Sequence, residues 1–185
     1  MYHLPNGNTV SIEILKFYIS GIELFENSKT IWREKESFHL YSADSSNQTI
    51  SLTVPTKLNF DKIKFNLGID SLTNVSGVMG GDLDPTKGMY WAWQSGYINF
   101  KIEGKSNLVS NSKKEFQFHL GGYLQPYYSL QTATLPITDK NKIDIVFDIV
   151  QFLSEIDFSK RNHIMSPSIK ALEFSQLAIK CFKVK

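Results

Sequence analysis

The chain has 185 residues, 42% of them apolar and 21% charged, with a formal net charge of +2. That length suits one domain able to bury a core without disulfides or metals. No run of Lys and Arg exceeds two residues, which argues against nucleic acid, and no apolar stretch approaches the roughly 20 residues of a membrane helix. The single cysteine, Cys181, excludes an internal disulfide and has no partner for a zinc knuckle, so it reads as a small buried apolar side chain.

In chain order, turn residues open the sequence at Leu4-Pro5-Asn6-Gly7-Asn8. A long apolar stretch from Val10 to Phe25 then alternates in part, as a strand does, and slips phase near Leu15 to Tyr18, which predicts a bulge or bend. The first twenty residues lack a positive segment followed by a continuous apolar run, so no secretory leader is read there. A cytoplasmic chain and a mature form whose leader has been removed both fit. Phe38–Ser42, Thr49–Val54 and the alternating Ile63-Lys64-Phe65-Asn66-Leu67 predict short strands. Residues 70–89, rich in Gly and Asp, form a long loop, and long loops in compact domains are often functional.

Strands are expected again at Ile98–Glu103, Phe116–Leu120, Leu130–Ile137 and Ile143–Val150. Ser166-Pro167 then predicts a helix start, with Ser as N-cap, and apolar residues recur at helical spacing through Phe182, giving a helix over about 167–182. Many short strands without strand–helix alternation predict an all-β, antiparallel β-sandwich of Ig-like or Greek-key type, one domain over 1–185.

No Gly-x-Ser-x-Gly elbow, phosphate loop or dinucleotide fingerprint is present, so a binding protein is expected in place of an enzyme. Four histidines are the other candidates for chemistry. His119 lies between Phe118 and Leu120, and His39 between Phe38 and Leu40; strand alternation turns both away from those apolar neighbours, which makes them metal-ligand candidates if the fold unites them. His163 reads as a loop residue, and His3 could chelate Cu(II) with a free amino terminus. Gly80-Gly81-Asp82-Leu83-Asp84-Pro85 matches no calcium loop and reads as a turn with a helix cap. The densest aromatic stretch is Met89-Tyr90-Trp91-Ala92-Trp93-Gln94-Ser95-Gly96-Tyr97. Trp91, Trp93 and Tyr97 share a face if it is a strand; they form a core plug, a stacking platform or an aromatic wall beside a metal.

This stretch resembles the W-x-W-Q-x-G-Y signature of the MbnP-like family of copper-binding proteins. Further similarities follow along the chain: Phe17-Tyr18-Ile19-Ser20, Phe38-His39-Leu40, Phe65-Asn66-Leu67-Gly68-Ile69, Phe116 to Gly121 as F-x-F-H-L-G, and Ile164-Met165-Ser166-Pro167. The resemblance implies a β-sandwich exported to the periplasm or cell surface, with a lipid anchor in the precursor as one option. It implies copper held by histidines beside a tryptophan oxidised to kynurenine by a partner dihaem enzyme of the MbnH type. By motif His119 is the first ligand candidate, His39 the second by its place in the pattern, and Trp91 or Trp93 the candidate for oxidation. One departure stands out: Val75 follows Leu72-Thr73-Asn74 where some relatives carry a histidine. The alternative is a cell-surface module for glycan or protein recognition that keeps the scaffold without the metal.

Overall fold

The computed structural model describes residues 1–45, 49–55, 58–137, 139 and 142–185. Its strands and helices run β1 (Tyr2–His3), β2 (Thr9–Glu26), β3 (Lys29–Arg33), β4 (Phe38–Ser42), β5 (Lys62–Leu67), α1 (Ser71–Val75), β6 (Tyr90–Trp91), β7 (Gly96–Ser106), β8 (Glu115–Gly121), β9 (Gln131–Pro136), β10 (Ile145–Phe147), α2 (Ile149–Ser154), β11 (His163–Ile164), α3 (Ile169–Ile179) and β12 (Phe182–Val184). Two single 3-10 turns, Gly81–Leu83 and Pro85–Lys87, sit between α1 and β6.

Ten of these strands join one curled sheet along the path β11-β8-β7-β2-β5-β9, with β1, β3 and β4 also on β2 and β6 on β7; β10 and β12 pair separately. The pairings are antiparallel except β11 with β8, which is parallel, so the sheet is mixed. The expected strand-rich architecture with few helices is present; the strands are not divided into the two wholly antiparallel sheets of the expected sandwich.

β2 organises the sheet. Along one edge its first half pairs with β7 up to Phe17↔Phe100, and its second half with β5 from Ile19↔Leu67. The opposite edge takes β1, β4 and β3. Within the β5 pairing the register slips between Ser20 and Glu23, where Gly21 has φ +58. An L side chain there would sit in the left-handed region at a cost of about 1–2 kcal/mol.

The predicted phase slip has a different origin. The β2–β4 register runs unbroken from Lys16 to Ser20, yet Phe17 and Tyr18 are both buried. Neighbouring strand residues point to opposite faces, so both faces are covered. Phe17 enters a large core with Phe100, Phe116, Phe118, Phe158 and Phe174, closed by α3 packing on β8 and β9. Tyr18 enters a smaller cluster with Ile69, Leu83, Met89, Trp91, Tyr97 and Ile98, beneath the 70–89 loop.

Three expected elements differ. Residues 49–54 form no strand. Ile143–Val150 contributes only β10, because the Asp148 carboxylate accepts from Gln151 N (3.0 Å) and opens α2. The last helix is capped by Ser168, whose Oγ accepts from Ala171 N (3.1 Å), and not by Ser166; it ends at Ile179, so Cys181, buried, and Phe182 lie beyond it.

Candidate functional site

Along β8 the side chains of Phe116, Phe118 and Leu120 enter the large core, which turns Gln117, His119 and Gly121 to the opposite face. That face is not solvent, for His119 is only 6% exposed. β7 brings Lys101 opposite His119 and Glu103 opposite Gln117. His119 Nε2 lies 2.7 Å from Glu103 Oε1, Gln117 Nε2 donates to Glu103 Oε2 (3.3 Å), and the Lys101 ammonium stands 3.4 Å from Glu103 Oε1. On the other edge of β8, His163 is paired with Gln117.

Burial holds the His119 imidazole below its ordinary pKa, outweighing the hydrogen bond to Glu103, and the Lys101 and His163 charges push the same way. Burial alone would raise Glu103, but His119, Lys101 and Gln117 hold it low. With Glu103 held ionised and His119 held toward its neutral form, the contact is an imidazole N–H donating to a carboxylate, which fixes the ring. A metal-bound histidine commonly has this carboxylate partner.

The aromatic stretch is a hairpin. Tyr90 pairs with Tyr97 and Trp91 with Gly96, and Ser95 turns the chain at φ +53. The six-membered ring of Trp91 rests on Gly121: a Cβ at that glycine would lie 2.6 Å from Trp91 Cζ3, so any side chain there would displace the indole. Gly121 is two residues from His119, roughly 7 Å along the strand and on the same face. Trp91 is 5% exposed and its Nε1–H is buried without a hydrogen-bond partner among the described residues, which costs about 1–3 kcal/mol. Trp93 is 67% exposed, its ring 6.0 Å from that of Trp91. Tyr97 is a core plug, edge-on to Tyr18 and Tyr90, its OH accepting from Met79 N (3.1 Å). The expected three-ring face is thus divided: Trp91 and Tyr97 are buried, Trp93 is surface. A glycan platform would have only Trp93 fully on display.

His39 is elsewhere. It pairs with Ile19, while His119 lies in the row of Lys101, Lys16 and Ser42. Three residues separate His39 from Ser42, an odd offset that puts the two imidazoles on opposite faces, with β7 and β2 between their strands, about 14 Å at the usual strand spacing. His39 Nε2 lies 2.8 Å from Glu34 Oε2, which also accepts from Ser37 Oγ. The structure does not bring His39 and His119 together. The face His39 shares with Tyr41 is not open either, since Tyr41 stacks on core Phe17 at 4.4 Å.

The Gly80–Pro85 segment is the expected turn. Asp82 accepts from Leu40 N (3.0 Å) and pairs with Lys87 (2.6 Å), and Asp84 accepts from Thr86 N (2.8 Å). No group of three or more His, Cys, Asp and Glu gathers among the described residues.

A family model described as MbnP matches residues 1–166. The chain belongs to the MbnP family. Among solved structures it is similar to MbnP from Methylosinus trichosporium, at 14% identity over 82% of this chain and 68% of that one, with a TM-score of 0.49. No curated protein matches it.

In this MbnP-family chain four residues around the candidate site were not singled out by the sequence for the places they take. Glu103 meets His119 across 16 residues of chain, and its strand alternation marked it only as polar. His163 belongs to β11 and not to a loop; the apolar Ile164 and Met165 beside it were the available signal. Asn74 and Asn99 are buried ties: Asn74 Oδ1 accepts from Tyr97 N (2.8 Å), and Asn99 Oδ1 accepts from Ile69 N (2.9 Å) while its amide donates to Ser129 Oγ (2.9 Å). Val75, next to Asn74, is exposed on α1.

Proposed function

We propose that this MbnP-family chain is an exported copper-binding protein of the periplasm or cell surface, a holder of metal and not an enzyme, with His119 as ligand. The supporting observation is His119 itself: buried, neutral, fixed through Nε2 to Glu103, and on the face where the Trp91 indole rests on Gly121. The donors suit copper. His163 is the second imidazole beside β8, paired with Gln117, and the half-buried Met165 follows just beyond β11. Imidazole and thioether are the ligands that favour copper, and neutral histidine is the form that binds. His39 does not belong to this set.

Copper, when bound, supplies a one-electron redox couple at this face. The protein's part is to orient His119 through Glu103, to exclude water with Trp91, and to hold the imidazole unprotonated. The proposal extends to kynurenine formation at Trp91 or Trp93 by an MbnH-like dihaem oxidase; Trp91 carries the unpartnered N–H and Trp93 the accessible ring. A lipid anchor in the precursor belongs to the same proposal.

Competition titration of Cu(I) against a chromophoric chelator tests it. Wild-type protein is expected to bind copper stoichiometrically, His119→Ala to lose binding, Glu103→Gln to weaken it about 10–100-fold, and His39→Ala to leave it unchanged. Equal affinity in wild type and His119→Ala would sink the proposal.

A further inference from the structure

Imidazole suits zinc and nickel as well as copper, so a copper site on the His119 face needs something that disfavours doubly charged ions. Lys101 is placed to do this. It stands directly opposite His119 in the β7–β8 register, and its side chain is only 16% exposed. Its Nζ lies 3.4 Å from Glu103 Oε1 and donates to the Gly88 carbonyl (3.4 Å). Those two contacts hold the ammonium on the His119 side of the sheet.

The other charges on this face are already matched. Lys16, paired with Lys101 across β2 and β7, donates to the Lys87 carbonyl (3.3 Å), and its charge is felt by Asp44. Lys87 is paired with Asp82 (2.6 Å). Glu103 is the carboxylate that His119 bonds, and its two oxygens are engaged by His119, Lys101 and Gln117. Lys101 is therefore what cancels the Glu103 charge beside the imidazole.

That cancellation reaches the ring. Burial is the largest influence on the His119 imidazole and the hydrogen bond to Glu103 the next; the through-space repulsion from Lys101 then exceeds the through-space attraction of Glu103. A positive charge that opposes a proton on an imidazole also opposes a metal cation on it. Coulomb work scales with the charge of the ion, so a divalent ion is opposed twice as strongly as a monovalent one. Charges this far from solvent are also less screened by salt than surface charges.

We propose that Lys101 is the specificity-determining residue of this site: its ammonium cancels the Glu103 carboxylate and so favours Cu(I) over Zn(II). This inference rests on the copper reading of the His119 face.

Dissociation constants for Cu(I) and for Zn(II), each measured by competition against a chelator, test it. Lys101→Met should raise Zn(II) affinity about tenfold more than it raises Cu(I) affinity. Lys101→Gln, neutral but still able to donate to Gly88, should repeat that shift, and Lys101→Arg, which keeps the charge, should leave the ratio of the two affinities as in wild type. Thermal unfolding of each variant shows whether the fold is kept. A ratio unchanged in both neutral variants overturns the proposal, as does Lys101→Arg behaving like Lys101→Met. Equal weakening of both metals also overturns it, because Lys101 would then only hold Glu103 in place. If wild type and His119→Ala bind Cu(I) alike, the copper reading itself fails and the proposal falls with it; a His119-dependent site with an unchanged ratio sinks the role of Lys101 alone.

Discussion

The two faces of the central sheet are built on different principles. The inner face is a phenylalanine core: Phe118 touches the rings of Phe116, Phe158 and Phe174, with centroids 5.3, 6.1 and 5.0 Å away. Its stability comes from area removed from water, a non-directional force. The outer cluster is smaller and contains Tyr18, Trp91 and Tyr97, tied down by buried backbone N–H groups of Ile69 and Tyr97 donating to Asn99 and Asn74. Directional bonds contribute less than buried aromatic area but fix positions, and the face that carries His119 and Trp91 is the one where positions are fixed in this way. The contrast teaches where fold and site are separately encoded.

The comparison is sharpest under truncation. Phe118→Ala should destabilise the protein by about 3–5 kcal/mol, read as a shift of the denaturant midpoint. Asn99→Ala, on the opposite side, should cost about 1–3 kcal/mol for each partner left unpaired, Ile69 N and Ser129 Oγ being the two at stake. If Asn99→Ala proved costlier than Phe118→Ala, the division between the faces would be wrong.

A smaller effect separates the faces by pH. Burial, reinforced by Tyr97, Asp82 and Asp84, raises the Tyr18 phenol, and burial also raises Tyr97 against its bond from Met79 N. Burial likewise pushes the Cys181 thiol, on the large-core side, up to about 11. Each is an acid whose folded pKa exceeds its unfolded one. Stability is therefore full below the unfolded values, about 8.5 for Cys and 10 for Tyr, and falls as the unfolded chain releases protons above them. Thermal unfolding should be flat to about pH 8.5 and then decline; Cys181→Ala should remove the early part of the decline and leave the later, tyrosine-driven part. A midpoint constant to pH 11 would contradict both shifts.

Much of the sheet was legible because alternation along a strand is a local property. Phe38–Ser42 matched residue for residue, and the strands around Phe65, Phe100 and Phe118 were found within a few residues of their ends. α2 was missed because Ile143 to Val150 is apolar and β-branched, and only Asp148 announced a helix start. The site was half legible. His119 and Trp91 stood out by motif, but alternation alone implies one buried face, whereas here the long loop covers the second. The seat of that loop depends on Asn74 and Asn99, whose neighbours in sequence give no hint of the contact. His39 looked equivalent to His119 because local pattern cannot tell which side of a sheet faces which cover.

β2 carries a consequence for how the chain is made. Its 18 residues pair with five other strands, four of which follow it in the chain, and β7, which satisfies its first half, is not complete until residue 106. In the interval the first half of this ribbon has no partner along the edge that β7 later takes, and an open strand edge is a template for pairing with other chains. A ribosome pausing after β4 and before β7 would expose the molecule at its most aggregation-prone, and a chaperone that shields extended apolar segments would be needed most during that window.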